Sequence, residues 1–123
     1  MANEINISLG VQVTNGFFKH QFQPGQIQVT QAAPGRGGHA QLIGTSEEAI
    51  DFGDVSTEGY LILRNLDAAN FVTYGPQVGT GDAELGLKLE AGEVAIFRIT
   101  PGSVWRAKAD TGAVLLDVCL LED

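Results

Sequence analysis

Cysteine is almost absent from this chain. Cys119 is the single cysteine among 123 residues, so it can neither form a disulfide within the chain nor build a cysteine zinc cluster. It lies in the apolar run VLLDVCLL, which favours a small buried thiol over a nucleophile because no histidine partner is identifiable. Two classes of protein, the secreted cystine scaffold and the cysteine zinc protein, are thereby excluded.

Long apolar runs and a charged leader are also missing. No run approaches the roughly 20 residues that cross a bilayer, and Met1 is not followed by a basic and then an apolar segment. We therefore expect a protein made in the cytosol that has no membrane partner.

Positive charge is scarce and unevenly placed. The chain has 7 Lys and Arg against 15 Asp and Glu, a formal net charge of -8. Nucleic-acid binding gains affinity from clustered Lys and Arg, so we expect no nucleic-acid partner. Residues 1 to 45 contain only Glu4, Lys19 and Arg36 as charged groups, so the first third is nearly neutral.

Helical periodicity is missing as well, since apolar residues do not recur at spacings of three and four. Turn signals recur about every eight to twelve residues, the spacing typical of β-sandwiches. The sequence predicts an all-β, antiparallel, jelly-roll-like sandwich of eight to ten strands. We expect one domain over residues 1–123, with residues 1–8 as an extended N-terminal arm or edge strand.

The N-terminal third has the clearest strand pattern. Apolar and polar residues alternate from Ile5 to Val13, and Asn15-Gly16 then favours a two-residue type I′ turn. That turn pairs Val13 with Phe18 and Leu9 with Phe22. The alternation predicts a hairpin whose apolar face is directed into the core.

The same register gives two further predictions. His20 should lie opposite Val11 on the apolar face, as a packed imidazole. A turn at Pro24-Gly25 should then begin a third strand, in which Ile27 and Val29 also face inward.

The second half predicts further strands around a polar elbow, residues 65–70. Residues 60–63 are apolar on both faces, so they belong centrally in a sheet, with residues 71–74 as the neighbouring strand. Residues 85–89 and 94–99 should pair, and residues 114–121 form the last strand. Asn65, Asp67 and Asn70 bond readily to nearby backbone, so the elbow is interpreted as a corner between strands.

Reactive constellations are also lacking. His20 and His39 suit neither the spacing nor the number of ligands of a cupin metal site, so a cupin-like metal enzyme is only a second alternative. A glycosidase would need two carboxylates beside a cleft, and Asp51, Asp54, Glu58, Asp82 or Glu84 are interpreted instead as solvated turn residues. We predict no enzyme, no cofactor, and no catalytic or metal-binding residue.

A candidate partner-contact face is defined by neutral polar residues that point outward from the first strands. Solvent-facing strands usually carry Lys and Glu, whereas interface cores are depleted in charge. An uncharged solvated surface is the alternative. The predicted contact residues are Asn6, Ser8, Gln12, Gln21, Gln26, Gln28, Thr30 and Arg36.

Residues 59 to 123 contain a series of strand and turn segments: GYLILRNLD, NFV, LEAGE, PG, AKAD and the closing LLED. Together they resemble small β-sandwich virion accessory proteins of tailed bacteriophages, of the capsid decoration or cement type.

The resemblance implies a viral structural protein, synthesised in the host cytoplasm and located in the virion, on the head surface. Its partners would be the major capsid protein or other virion proteins, and it would be a homo-oligomer, with a trimer favoured. Such proteins have no catalytic residues to transfer. The alternative is a carbohydrate- or receptor-binding module of a phage tail or fibre, in which Tyr60, Tyr74 or Trp105 stacks on sugars.

Overall fold

The computed structural model describes residues 3–79 and 83–123, and none of these residues lies in a helix. Their contacts group the chain into two compact units, Met1–Ala33 and Pro34–Asp123. The strands are β1 (Ile5–Asn15), β2 (Phe18–Val29), β3 (Arg36–Gly37), β4 (Ala40–Ile43), β5 (Glu48–Ala49), β6 (Glu58–Asn65), β7 (Val72–Pro76), β8 (Leu87–Leu89), β9 (Val94–Arg98), β10 (Trp105–Ala109) and β11 (Val114–Glu122).

The first unit is a long antiparallel hairpin of β1 and β2. Its turn is one residue later than predicted, because Asn15 pairs with Phe18 and the central residues are Gly16 and Phe17. Gly16 has φ of 58°, whereas Phe17 is not among the described residues with positive φ. A type II′ turn requires glycine at its first central position, so the glycine sets the turn and the predicted I′ register is wrong.

A β-bulge replaces the predicted turn at Pro24-Gly25. The register shifts between Leu9, which pairs with Gly25, and Val11, which pairs with Phe22, so β2 continues as one strand to Val29. The apolar residues of β2 change from even-numbered to odd-numbered positions along the strand. The one extra residue at the bulge compensates for this change. The apolar residues of both halves of β2 therefore share one face of the hairpin.

The second unit is an antiparallel sandwich of two sheets. The first sheet has the order β4-β11-β6-β9, with β3 on the same edge of β11 as β4, and the second sheet has the order β5-β10-β7-β8. These orders are those of a jelly roll. The predicted all-β sandwich is confirmed; the described residues form eleven strands against the predicted eight to ten, and β3 and β5 have only two residues each.

The core lies between the two sheets and follows from strict alternation. In β11, Val114, Leu116, Val118 and Leu120 are fully buried, as the last-strand pattern predicts. They pack with inward residues of β6, which lies centrally between β11 and β9, also as predicted. The second sheet contributes Val72, Tyr74, Ala107 and Ala109.

Two predicted strand pairings are wrong. Residues 71–74 were expected to pair with residues 60–63, but β7 lies in the second sheet between β10 and β8. Residues 85–89 and 94–99 also separate, because β8 pairs with β7 and β9 pairs with β6. Both errors have one cause: the turns between these strands carry the chain from one sheet to the other.

The elbow is the corner where β6 leaves the first sheet, and Asn65 fixes it. The Asn65 side chain is fully buried. Its Nδ2 donates to the carbonyl oxygens of Asn70 at 2.9 Å and Leu89 at 3.0 Å, and its Oδ1 accepts from the Asp67 amide at 2.8 Å. A buried amide with both ends bonded to backbone holds the corner in one geometry, so the interpretation as a structural corner is confirmed.

Replacing Asn65 with alanine removes three hydrogen bonds inside the core. We expect Asn65→Ala to lower the free energy of unfolding by about 2–4 kcal/mol, since such bonds contribute about 1 kcal/mol each and the Leu89 carbonyl oxygen loses its donor in a buried position. Denaturant titration measures this loss. Asn70→Ala is the matched control, because the Asn70 side chain accepts one exposed bond, from Thr111 Oγ1 at 3.3 Å, and equal losses in the two variants would contradict the assignment.

Candidate interaction surfaces

The hairpin polar face contains six of the eight residues predicted to contact a partner. They form three cross-strand pairs, Asn6 with Gln28, Ser8 with Gln26 and Gln12 with Gln21, and all six residues are exposed. The charged Lys19 lies on the same face, opposite Thr14. Gln28 Nε2 and Gln26 Nε2 donate to Asn6 Oδ1 at 3.1 and 3.3 Å. The face therefore presents linked amides without a charged group in these pairs.

The other two predicted contact residues lie elsewhere. Thr30 is exposed just beyond the end of β2. Arg36 belongs to the second unit, where it lies in β3 opposite Leu121 and its Nη2 donates to the Val118 carbonyl oxygen at 3.5 Å. Alternation along the first strands could not place Arg36, because it follows a loop that ends the hairpin.

The hairpin apolar face is the opposite side of the same two strands, and it was predicted to be buried. Leu9 and Val11 are each 43% exposed, Phe22 is 52% exposed and Phe18 is 62% exposed. The complete face comprises Ile5, Ile7, Leu9, Val11, Val13, Phe18, His20, Phe22, Ile27 and Val29. The inward prediction is wrong because the hydrophobic core is composed of residues from Ile43 onward.

His20 lies on this face opposite Val13, not Val11, and its side chain is exposed. The prediction of a packed imidazole is therefore wrong for the same reason as the prediction of a buried face.

The first-sheet outer face is a second apolar surface, and sequence reasoning missed it. Leu42 is 63% exposed and lies directly opposite Leu115, which is 40% exposed. Across the sheet, Ile62 lies between Cys119 and the 38% exposed Ile96. The whole face consists of Arg36, Ala40, Leu42, Leu115, Asp117, Cys119, Leu121, Tyr60, Ile62, Arg64, Val94, Ile96 and Arg98.

The arginines of β6 and β9 on the first-sheet outer face lie near carboxylates or an aromatic ring. Arg64 lies directly across from Asp117, and the Arg98 guanidinium lies 4.6 Å from the Tyr60 ring centroid. Arg98 Nη1 is also 3.5 Å from Asp123 Oδ1. Cys119 is half-buried on this face, so the prediction of a buried thiol is wrong. Its side chain points outward because it alternates with two buried neighbours in β11.

The aromatic residues considered for sugar stacking are mostly used elsewhere. Tyr74 is 3% exposed, and burial, with a smaller effect of the Glu93 charge, raises the pKa of its phenol. The ring centroid of Trp105 is 5.0 Å from that of Phe97, against the core. Of the three, Tyr60 alone lies on an outer face, beneath Arg98.

The carboxylates considered for glycoside cleavage support turns. Asp51 Oδ1 accepts from the Gly53 amide at 2.9 Å, and Glu58 Oε2 accepts from the Gly102 amide at 3.0 Å. His39 Nδ1 is 3.9 Å from Asp51 Oδ2, with both side chains exposed. Asp82 lies outside the described residues. Within residues 3–79 and 83–123, no group of three His, Cys, Asp or Glu side chains could hold a metal ion.

Comparisons with protein-family models, curated proteins and solved structures find no match for this chain. Nor does the described part of the chain contain a helix long and apolar enough to cross a membrane. The two apolar faces and the hairpin polar face are therefore the candidate binding surfaces of this chain.

Two carboxylates are held charged by turn backbone. Amides of Asn70 and Ala69 donate to Asp67 Oδ2 at 2.6 and 3.0 Å, and these bonds lower the pKa of Asp67 below 3.8. The amide of Thr57 and the hydroxyl of Ser56 donate to Glu122, and they lower its pKa below 4.5. Hydrogen bonds to the ionised form are the cause in both cases.

Asp67 gives a pH-dependent prediction. Its lowered pKa means that the charged carboxylate stabilises the fold at neutral pH, and that this contribution is lost as the pH falls below about 3.8 through the folded-state pKa. We expect Asp67→Asn to lower the unfolding temperature at pH 7. The difference in unfolding temperature between the variant and the parent should become smaller at lower pH. Thermal unfolding across pH measures this, with the exposed Asp110→Asn as control; a difference that is constant with pH would contradict it.

Proposed function

We propose that this chain is a non-enzymatic structural protein of a tailed-bacteriophage particle. In this proposal it binds the outside of the head shell as a decoration, or cement, protein, and the major capsid protein is its partner. The resemblance of residues 59 to 123 to such accessory proteins is the reason for proposing a component of a phage particle. The surfaces of the hairpin motivate binding as the activity.

The observation that carries the proposal is the low charge of the hairpin polar face, whose strand pairs contain one charged residue, Lys19 opposite Thr14. Glu4 and Lys19 are the only charged residues in the hairpin unit and they cancel, so the whole net charge of -8 lies in residues 34–123. Strands exposed to solvent normally carry charge that prevents edge-to-edge association. A long neutral ribbon on an acidic protein suits a surface that is covered in use.

The binding mechanism requires no reaction. The hairpin strands have 11 and 12 residues and are about 37 to 41 Å long at roughly 3.4 Å per residue, long enough to contact more than one neighbouring capsid subunit. A protein that binds only the assembled shell stabilises it by mass action, since separating the subunits then also requires release of the bound protein.

Binding to shells tests the proposal. Purified protein added to expanded, DNA-free heads of the phage that encodes it is expected to cosediment with them and to raise their disruption temperature. Absence of both effects would overturn the proposed function.

A charge pair on the hairpin polar face tests the surface. Gln12→Arg combined with Gln21→Glu places opposite charges directly across the hairpin, which preserves the net charge and the strand pairing. We expect shell affinity to fall at least about tenfold, because both charges would be desolvated at the interface. The control is Thr73→Glu, opposite Lys108 in the second sheet, and equal loss of affinity in both variants would contradict the assignment of the surface.

A further inference from the structure

The hairpin apolar face and the first-sheet outer face both remain without a role in the proposed function. The hairpin is a two-stranded sheet, and such sheets are marginal in water unless a third strand or another layer covers them. Its Phe22 and Phe18 are 52% and 62% exposed. Contiguous exposed apolar surface of this kind marks a site of protein association.

The first-sheet outer face has matching chemistry. Its exposed members include Leu42 and Val94, each 63% exposed, with Leu115 and Ile96 beside them. Arg64 is matched by Asp117 across the strand pair, so an apolar layer placed on the sheet would not leave that charge alone. Two sheets pack face to face about 10 Å apart through such side chains.

We propose that the hairpin apolar face of one copy packs on the first-sheet outer face of a second copy. The inference goes beyond shell binding, because it concerns contacts between copies of this chain and uses the opposite face of the hairpin. In the assembled protein each copy donates one hairpin and accepts another.

Charge favours this arrangement over direct contact between sandwich units. The sandwich unit carries the entire net charge of -8, whereas Glu4 and Lys19 cancel in the hairpin. Two sandwich units therefore repel one another, while a neutral hairpin approaches an acidic unit without that cost.

Area favours exchange over the pairing of two hairpins. One hairpin face covers about 350 Å² if two strands span about 10 Å across and about 37 Å along. Packing two hairpins on each other would bury about 700 Å², below the roughly 1,200 Å² of a stable interface. Reciprocal exchange between two copies makes two contacts and buries about 1,400 Å² between the same two chains.

Oligomeric state provides the first test. Purified protein is expected to sediment as a closed oligomer that dissociates on dilution. Phe22→Glu on the hairpin apolar face and Leu115→Lys on the first-sheet outer face should each weaken association roughly thirtyfold or more, as loss of a central interface side chain does. Both residues are exposed, at 52% and 40%, so the circular dichroism spectrum should keep its β-sheet form.

Mixing the two variants provides the decisive test. The Phe22→Glu copy keeps an intact sheet face and the Leu115→Lys copy keeps an intact hairpin, so a mixed dimer has one of the two contacts undamaged, whereas a dimer of either variant alone has neither. The mixture should therefore form a complex, weaker than that of the parent, at concentrations where each variant alone is monomeric. The Gln12→Arg, Gln21→Glu variant should associate like the parent although its shell binding falls, which separates this inference from the proposed function.

Three results would overturn the inference. The first is a parent protein that is monomeric at every concentration. The second is an oligomer that survives Leu115→Lys but not Phe22→Glu, which would indicate hairpin-on-hairpin packing. The third is a mixture of the two variants that forms no complex.

Discussion

A two-sheet sandwich encloses one face of each sheet, and this limit governs the whole molecule. The chain supplies more apolar strand faces than its sandwich can bury. The inner faces take Leu61 and Leu63 of β6, the alternating residues of β11 and the inward residues of the second sheet. The hairpin apolar face and the first-sheet outer face are left in excess, so the interaction surfaces follow from the same alternation that builds the core.

Buried hydrogen bonds, rather than apolar contacts, determine where the chain passes from the first sheet to the second. Asn65 occupies an inward position of β6, where alternation alone would favour another leucine. Its amide bonds to backbone of β8 at Leu89 and of the elbow at Asn70. An apolar side chain would fill the space but leave these carbonyl oxygens unpaired, and it would not specify the corner.

The sequence was informative about strands and uninformative about which strands meet. Alternation predicted β1 and β11 because burial on one face imposes period two, and a run that is apolar on both faces predicted β6. It could not assign β7 to the second sheet, since a strand inside either sheet shows the same pattern. Alternation also could not distinguish a face that packs within the chain from one left exposed. The exposure of Phe22 and Leu115 was therefore not predicted, whereas the outward direction of Gln12 and Gln21 was.

The two faces of the hairpin have different chemistry, and this difference couples the two proposed contacts. Gln12 and Gln21 face one way, while Val13 and Phe22 face the other. A ribbon of two strands gains stability when either face is covered. If a second copy covers the apolar face, it would therefore order the polar face for the proposed shell contact, and by linkage the shell would strengthen association between copies by the same factor. A hairpin with one apolar face and one polar face of low charge can make both contacts at once.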